Sequence, residues 1–359
     1  MTNTKKTQHY FLGAVTADGF STDFKRTIAR DGFFTFILKG GAGTGKSSLM
    51  KRIERELQEG DRALYHCSSD PGSLDAVVLE DYKAIVVDGT APHTFDPEMP
   101  AVREQIVNLG EYWDDEKIMS CKDDIEKAMK LNKSYMSRAK RYVRACSDIC
   151  FDTYSLGLEA LDNARLGALA DKVIKRILTA DSTGSGNISV RQLSAVTMNG
   201  FMTFSQTLFD CKNTYIFSDE YYAASSALFD TVAAAAASKG YDVTLCVYQL
   251  LGNDVTEHII IPELDTALIS VNKLNGIERT GRAVNLAKLY DKQLVELKAP
   301  RLKLNRSACR TLLDEAARTL VLAKSAHDDI EKNYISAMDF ERLDKAGDRL
   351  IEKIRKRKG

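Results

Sequence analysis

Apolar positions change their period along the chain. Residues 33–39, FFTFILK, form a continuous apolar run rich in β-formers. The segment KSSLMKRIERELQE from Lys46 repeats its apolar residues at helical spacing, and RALYHC (62–67) and KAIVVDG (83–89) are two further short apolar runs. Short runs bounded by turn formers predict strands, and recurrence at three and four residues predicts a helix. Strands alternating with helices predict a parallel sheet covered on both faces. From Glu111 to Leu178 proline is absent, and Ile118, Cys121, Ile125, Met129, Met136, Val143, Cys146 and Cys150 recur at three-, four- and seven-residue steps. That stripe belongs to long packed helices.

The same order of patterns returns roughly 180 positions later. AVTADGF from Ala14 returns as AVTMNGF from Ala195. TFIL before Lys39 returns as TYIF before Ser218, VNLGEYWDDEKI from Val107 as VNLAKLYDKQL from Val284, and the surroundings of Tyr154 as those of Tyr334. Four matches in one order predict a tandem duplication. Copy one is 1–180, with an α/β core over about 10–110 and a helical arm over about 111–178; copy two is 181–359, with a core over about 190–280 and an arm over about 282–358. DSTGSGNIS, from Asp181, reads as the linker between them.

A chain of 359 residues that is 44% apolar can bury two ordinary cores. Its 50 basic and 50 acidic residues cancel, so the basic footprint of a nucleic-acid or anionic-membrane binder is missing. The opening MTNTKKTQHYF lacks an apolar stretch suited to a signal peptide, and no 18 consecutive apolar residues occur, which together predict a cytoplasmic protein. Seven cysteines without a C-x-x-C pair fit reduced thiols. Cys146 and Cys150 lie one helical turn apart with no histidine nearby to complete a metal set, and read as small core-facing residues. The basic ending KIRKRKG reads as cations complementing a helix C-terminus.

The chemistry is concentrated in copy one. GGAGTGKSS supplies Gly40, Gly41, Ala42, Gly43, Thr44, Gly45, Lys46, Ser47 and Ser48, and satisfies the phosphate-loop pattern G-x-x-x-x-G-K-S/T between a strand and a helix. Glycines let backbone N–H groups turn inward around a phosphate. Lys46 is the cation for the β- and γ-phosphates, Ser47 a hydroxyl ligand for Mg2+, and the following helix points its positive end at the anion. A second acid for the metal belongs at the end of another core strand, and Asp88 in AIVVDG is placed there. No glutamate follows it directly. HCSSDPGSLD brings His66, Ser68, Ser69, Asp70 and Asp75 to the same sheet edge, and DGTAPHTFDP brings Thr90, His93 and Asp96. Asp70, His93 and Asp96 are candidates for a general base or for substrate contacts, while Asp-Pro pairs at 70–71 and 96–97 also form turns.

FILKGGAGTGKSSLMKRI, HCSSDPGSLDAVV, AIVVDGTAPHTFDP, VNLGEYWDDEKI and AHDDIEKNYISAMDF resemble an uncharacterised family of tandem P-loop proteins of Gram-positive anaerobes, described as ATPases or ATP-binding proteins. The resemblance covers nearly the whole chain and implies ATP binding on a duplicated P-loop scaffold, without naming a substrate. Members of that family often keep a phosphate loop in the second copy, and this sequence departs there. Asp219, Tyr222, Ala224, Ser225 and Ser226 stand at the positions of Gly40, Gly43, Gly45, Lys46 and Ser47, and Val271 and Asn272 end the strand that should carry a counterpart of Asp88. Copy two therefore reads as a pseudo-ATPase half that keeps its apolar frame. Arg279 or Arg282 could reach the nucleotide as a finger in cis.

Two functions follow from this reading. In the first, ATP binding and slow Mg2+-dependent hydrolysis in copy one drive a conformational switch, whose output is a protein partner met through the helical arms or copy two. The alternative is a phosphotransferase in which Asp70 or His93 activates a small-molecule acceptor. A DNA-repair or motor ATPase is a weaker third class, because a neutral chain predicts little salt-sensitive nucleic-acid binding.

Overall fold

The computed structural model describes residues 6–16, 19–22, 30–91, 94–179, 184–252, 254–277 and 282–358. Strand β1 (Thr7–Phe11) and the hairpin of β2 (Gly13–Thr16) and β3 (Gly19–Thr22) lead to β4 (Phe34–Lys39), the apolar run FTFILK. Helix α1 (Lys46–Glu56) follows, then β5 (Arg62–His66), β6 (Leu74–Leu79), β7 (Ala84–Asp88) and β8 (Glu104–Asn108). β1 and β4 to β8 form a six-stranded sheet in the order β1-β5-β6-β7-β4-β8, with β2 and β3 paired apart from it. β4 is buried along almost its whole length because it lies between β7 and β8, parallel to both.

The sheet is mixed, which corrects the parallel sheet expected from the sequence. β6 runs antiparallel to both β5 and β7. Its residues LDAVVL are separated from β5 by CSSDPGS and from β7 by EDYK, and links this short close hairpins, whereas a parallel neighbour needs a long crossover. Asp75 therefore sits inside a strand.

Copy two repeats this plan. β9 (Ile188–Arg191), the hairpin of β10 (Ser194–Thr197) and β11 (Gly200–Thr203), β12 (Asn213–Ser218), β13 (Val243–Val247), β14 (Thr256–Ile261), β15 (Thr266–Val271) and β16 (Val284–Asn285) occur in the same succession. The second sheet reads β9-β13-β14-β15-β12-β16, strand for strand the order of the first, with β14 antiparallel where β6 is. Even the irregularity in the β5–β6 pairing at Tyr65 and His66 recurs between β13 and β14 at Cys246 and Val247.

Each core is followed by a long helix and a short one. α2 (Lys122–Ala160) and α3 (Asn163–Ile177) come before the second core, which contains α4 (Ala223–Ser238); α5 (Lys292–Ala337) and α6 (Phe340–Arg355) end the chain. Asp162 caps α3 by accepting from Arg165 N–H, and Asp339 caps α6 by accepting from Arg342 N–H, each carboxylate taking up a donor that a helix start leaves unpaired.

The compact units in space divide the chain differently from the sequence copies. One holds residues 1–13, 22–139 and 318–359; the other holds 14–21 and 140–317. In the first unit, Leu343, Leu350, Ile351 and Ile354 of α6 close the core around Phe36, Leu38, Met50 and Ile53 of copy one. In the second, Leu166, Ala170, Val173 and Ile177 of α3 pack with Phe217, Leu228 and Phe229 of copy two. The terminal helices are thus exchanged between copies. The basic ending takes part in this packing: Arg355 pairs with Glu56, the Arg357 guanidinium lies 4.3 Å over the Phe34 ring, and Lys358 pairs with Glu59. Among the described residues no helix is long and apolar enough to cross a membrane.

Candidate functional site

β4 delivers the loop and α1 receives it. Gly43 (φ 72°) and Gly45 (φ 83°) hold left-handed conformations that a Cβ disfavours, so the chain can curl back before α1 starts at Lys46. Thr44 Oγ1 donates to Gly41 O across the curl at 2.9 Å. Lys46 Nζ donates to Gly40 O at 2.9 Å and to Gly41 O at 2.7 Å, and lies 3.7 Å from Asp88 Oδ2. Parallel pairing sets Asp88 beside Leu38 at the end of β4, which is how the acid reaches the loop. Burial lowers the Lys46 pKa; the charges of Asp88, Glu331 and Asp75 work against that shift.

Asp88 Oδ1 accepts from both the N–H and the hydroxyl of Thr90, which fixes the carboxylate and leaves Oδ2 toward Lys46. Ser47 Oγ accepts from Leu74 N–H of β6 at 3.0 Å. A hydroxyl and a carboxylate beside the loop are the hard oxygen donors that Mg2+ takes, and the Ser47 oxygen keeps a second lone pair for it. Ser48 is exposed.

The other candidates are distributed unevenly. Asp70 closes its own turn, accepting from Gly72 N–H and Ser73 Oγ, and lies 3.5 Å from Lys324 Nζ. Asp96 is exposed and pairs with Lys39, which also donates to the carbonyls of Gly89 and Phe95. His66 contacts Pro71 O and the His9 ring, and burial lowers it to about 4, so it is neutral near pH 7. His93 and Arg279 lie outside the described residues; Arg282 is exposed.

The residues that sequence reasoning missed come from the end of α5. A Cβ built on Gly43 would lie 2.7 Å from Glu331 O, one on Gly41 3.0 Å from the Tyr334 ring, and one on Gly45 3.1 Å from Leu343 of α6. Ala42 and Tyr334 both pack against the cluster of Ile125, Ala128 and Ile330. The helix is seated on the glycines, so their lack of side chains serves close approach as well as turning. The Glu331 carboxylate lies near enough to the Gly43 N–H for that donor to help lower its pKa, as the smallest of the causes. It also lies 3.4 Å from His327 Nε2 and 4.0 Å from Lys324 Nζ. Its pKa is lowered, first by the hydrogen bond from His327. An internal anion therefore stands beside a backbone donor of the glycine loop. The sequence did hold one signal for it: the repeat that aligns Tyr334 with Tyr154 puts Phe151 where Glu331 stands, so the acid occurs only in the arm that covers the glycine loop.

In copy two the same place is filled from within. Asp219 is buried and accepts from the N–H groups of Ser225 and Tyr221 and from Tyr290 Oη, while Tyr290 Oη accepts from Ala224 N–H. α4 starts at Ala223, the position of Thr44, so residues that form the curl in copy one are wound into helix. Ser226 Oγ accepts from Thr256 N–H at 3.0 Å, the counterpart of the bond from Leu74 to Ser47, so that bond belongs to the scaffold in both copies. Strand register also corrects one assignment. Ser270, not Val271 or Asn272, pairs with Phe217 as Asp88 pairs with Leu38, and is the counterpart of Asp88.

No protein-family model matches the chain, and neither a curated protein nor a solved structure matches it.

Proposed function

We propose that copy one binds ATP with Mg2+ and hydrolyses it slowly, on a tandem duplication of a P-loop NTPase-like core whose second copy has lost the ligand chemistry. The observation that carries this reading is Lys46, held between the Gly40 and Gly41 carbonyls and Asp88 at the join of β4, the glycine loop and α1. In the proposed complex, Lys46 turns from those carbonyls to the β- and γ-phosphates, and the loop N–H groups with the α1 N-terminus hold the remaining phosphate charge. Ser47 and Asp88 would hold Mg2+, whose charge would offset that of the phosphates.

The same geometry favours a switch. A phosphate that takes the Gly43 N–H replaces the Glu331 carboxylate there, and Glu331 belongs to α5 together with Lys324, His327 and Tyr334. Nucleotide occupancy is thereby coupled to the end of a 46-residue helix, the surface we assign to a protein partner. The phosphotransferase alternative has less support, because both Asp70 oxygens are engaged in the turn.

Calorimetric titration with a non-hydrolysable ATP analogue and Mg2+ tests the reading. One site per chain is expected, and none in Lys46→Ala. Two sites, or undiminished binding in the variant, would overturn it. Asp88→Asn should lose at least tenfold in affinity with Mg2+ and far less in EDTA.

A further inference from the structure

Three thiols that are far apart in sequence meet in the interior of the second compact unit. Cys146 and Cys150 project from successive turns of α2, and Cys309 comes from α5. Their sulfur atoms all lie within 4.8 Å of one another, Cys150 Sγ and Cys309 Sγ are 3.6 Å apart, and each residue is at most 1% exposed. The sequence offered only the pair on α2; the third member enters because the two arms pack side by side within this unit.

We infer that Cys146, Cys150 and Cys309 form a binding site for one soft, thiophilic metal ion of the Cu(I) class. The spacing carries the argument. Three sulfurs each about 2.3 Å from one ion stand about 4 Å apart, close to the separations the thiols already have. Ligation needs only small rotations about the Cα–Cβ bonds, and the helix backbones supply a fixed frame. Ligand type and number choose the ion. Three thiolates with no nitrogen or oxygen donor in the cluster select a soft cation over Mg2+, Ca2+ or Mn2+. Zn2+ in a structural site closes a tetrahedron, and among the described residues no fourth histidine, cysteine or carboxylate joins the group. Cu(I) is satisfied by three thiolates.

The surroundings suit the charge exchange. Binding releases the thiol protons as the ion takes their place. Two of the thiols already bridge the helices: Cys309 Sγ donates to Cys146 O at 3.8 Å and Cys146 Sγ to Cys309 O at 3.9 Å. Tyr222 and Tyr248, whose hydroxyls are 3.3 Å apart, are the polar groups that feel the charge on Cys150. A bound ion would clip α2 to α5, independently of the nucleotide loop.

The test uses the full-length chain, reduced and free of oxygen, titrated with Cu(I) held by bathocuproine disulfonate. One Cu(I) per chain should leave the chelator. That equivalent should be lost in Cys309→Ala and in Cys146→Ala, with folding followed by circular dichroism, and kept in Cys246→Ala, a buried cysteine outside the cluster. X-ray absorption of the copper-loaded wild-type chain should report three sulfur neighbours, a readout that needs no variant. Failure to withdraw copper, retention of copper by Cys309→Ala, nitrogen neighbours at the metal, preference for Zn2+, or a Cys150–Cys309 disulfide formed without metal binding would each overturn the assignment.

Discussion

Ser270 Oγ donates to Ser225 Oγ at 3.2 Å, at the two positions where copy one places Asp88 and Lys46. A partly buried ion pair in one copy is a neutral hydroxyl pair in the other. Both charges are gone together, as energetics require: removing one member of a buried pair strands the other at a cost of about 3–5 kcal/mol, whereas replacing both is nearly neutral. The exchange keeps the packing and removes the cation that the proposed function assigns to the phosphates.

Restoring that cation alone should therefore fail. In a Lys46→Ala background, Ser225→Lys is expected to show no nucleotide binding by calorimetry. Asp219 already holds the Ser225 N–H at 2.8 Å, and Tyr290 Oη holds that of Ala224. The donors that would cradle a phosphate are taken, and a buried carboxylate stands in its place. Saturable micromolar binding would mean that the cradle can still open.

In copy one the corresponding anion is Glu331, held at a glycine loop that is not wound into helix. Glu331→Gln keeps the shape and removes the charge, so competition with phosphate at the Gly43 N–H weakens. The affinity for ATP analogue should rise roughly tenfold, the scale of one charge-assisted hydrogen bond. Equilibrium titration checks this, and weaker binding would instead make Glu331 a nucleotide contact.

Glu257 sets a pH dependence in the second unit. It is buried, accepts from Ser194 Oγ at 2.5 Å, and burial raises it from 4.5 to about 8. The folded chain keeps a proton that the unfolded chain releases, so this contribution is complete below about pH 4.5 and is lost as pH rises toward 8. The loss by pH 7 is roughly 3 kcal/mol. Urea midpoints measured at pH 5 and pH 8 should fall with pH in the native chain and fall much less in Glu257→Gln. An equal decline in both would remove Glu257 as its source.

Ile354 is fully buried against the copy-one core although it belongs to the last helix. Ile354→Ala should cost about 2–5 kcal/mol of stability. Hydrogen exchange should place the loss in β4 and α1 as well as in α6. Loss confined to α6 would show that the helix is not part of that core.

The glycine loop, β4, α1 and Asp88 were legible because local composition fixes them: a strand, a turn that needs glycine, a helix start and an acid ending the next strand. The repeat was legible because two sheets with one strand order need apolar residues at the same positions. β6 was not read as a strand, since its short LDAVVL run follows a turn-rich segment that dominates the pattern. The roles of Glu331 and Cys309 were hidden for another reason. Each matters through a neighbour far away in the chain, and helical periodicity gives the face of a helix without naming what meets it.

Exchange of α3 and α6 also orders events at the ribosome. The sheet of copy one is complete once Asn108 has been made, yet Leu350, Ile351 and Ile354, which close its apolar face, come only after the whole of the second sheet. α3 emerges early and waits for Phe217 and Leu228 of a sheet not yet synthesised. A chain cut before Phe340 thus lacks the helix that seals its first core. Closure of the first core therefore waits on a helix that follows the entire second sheet.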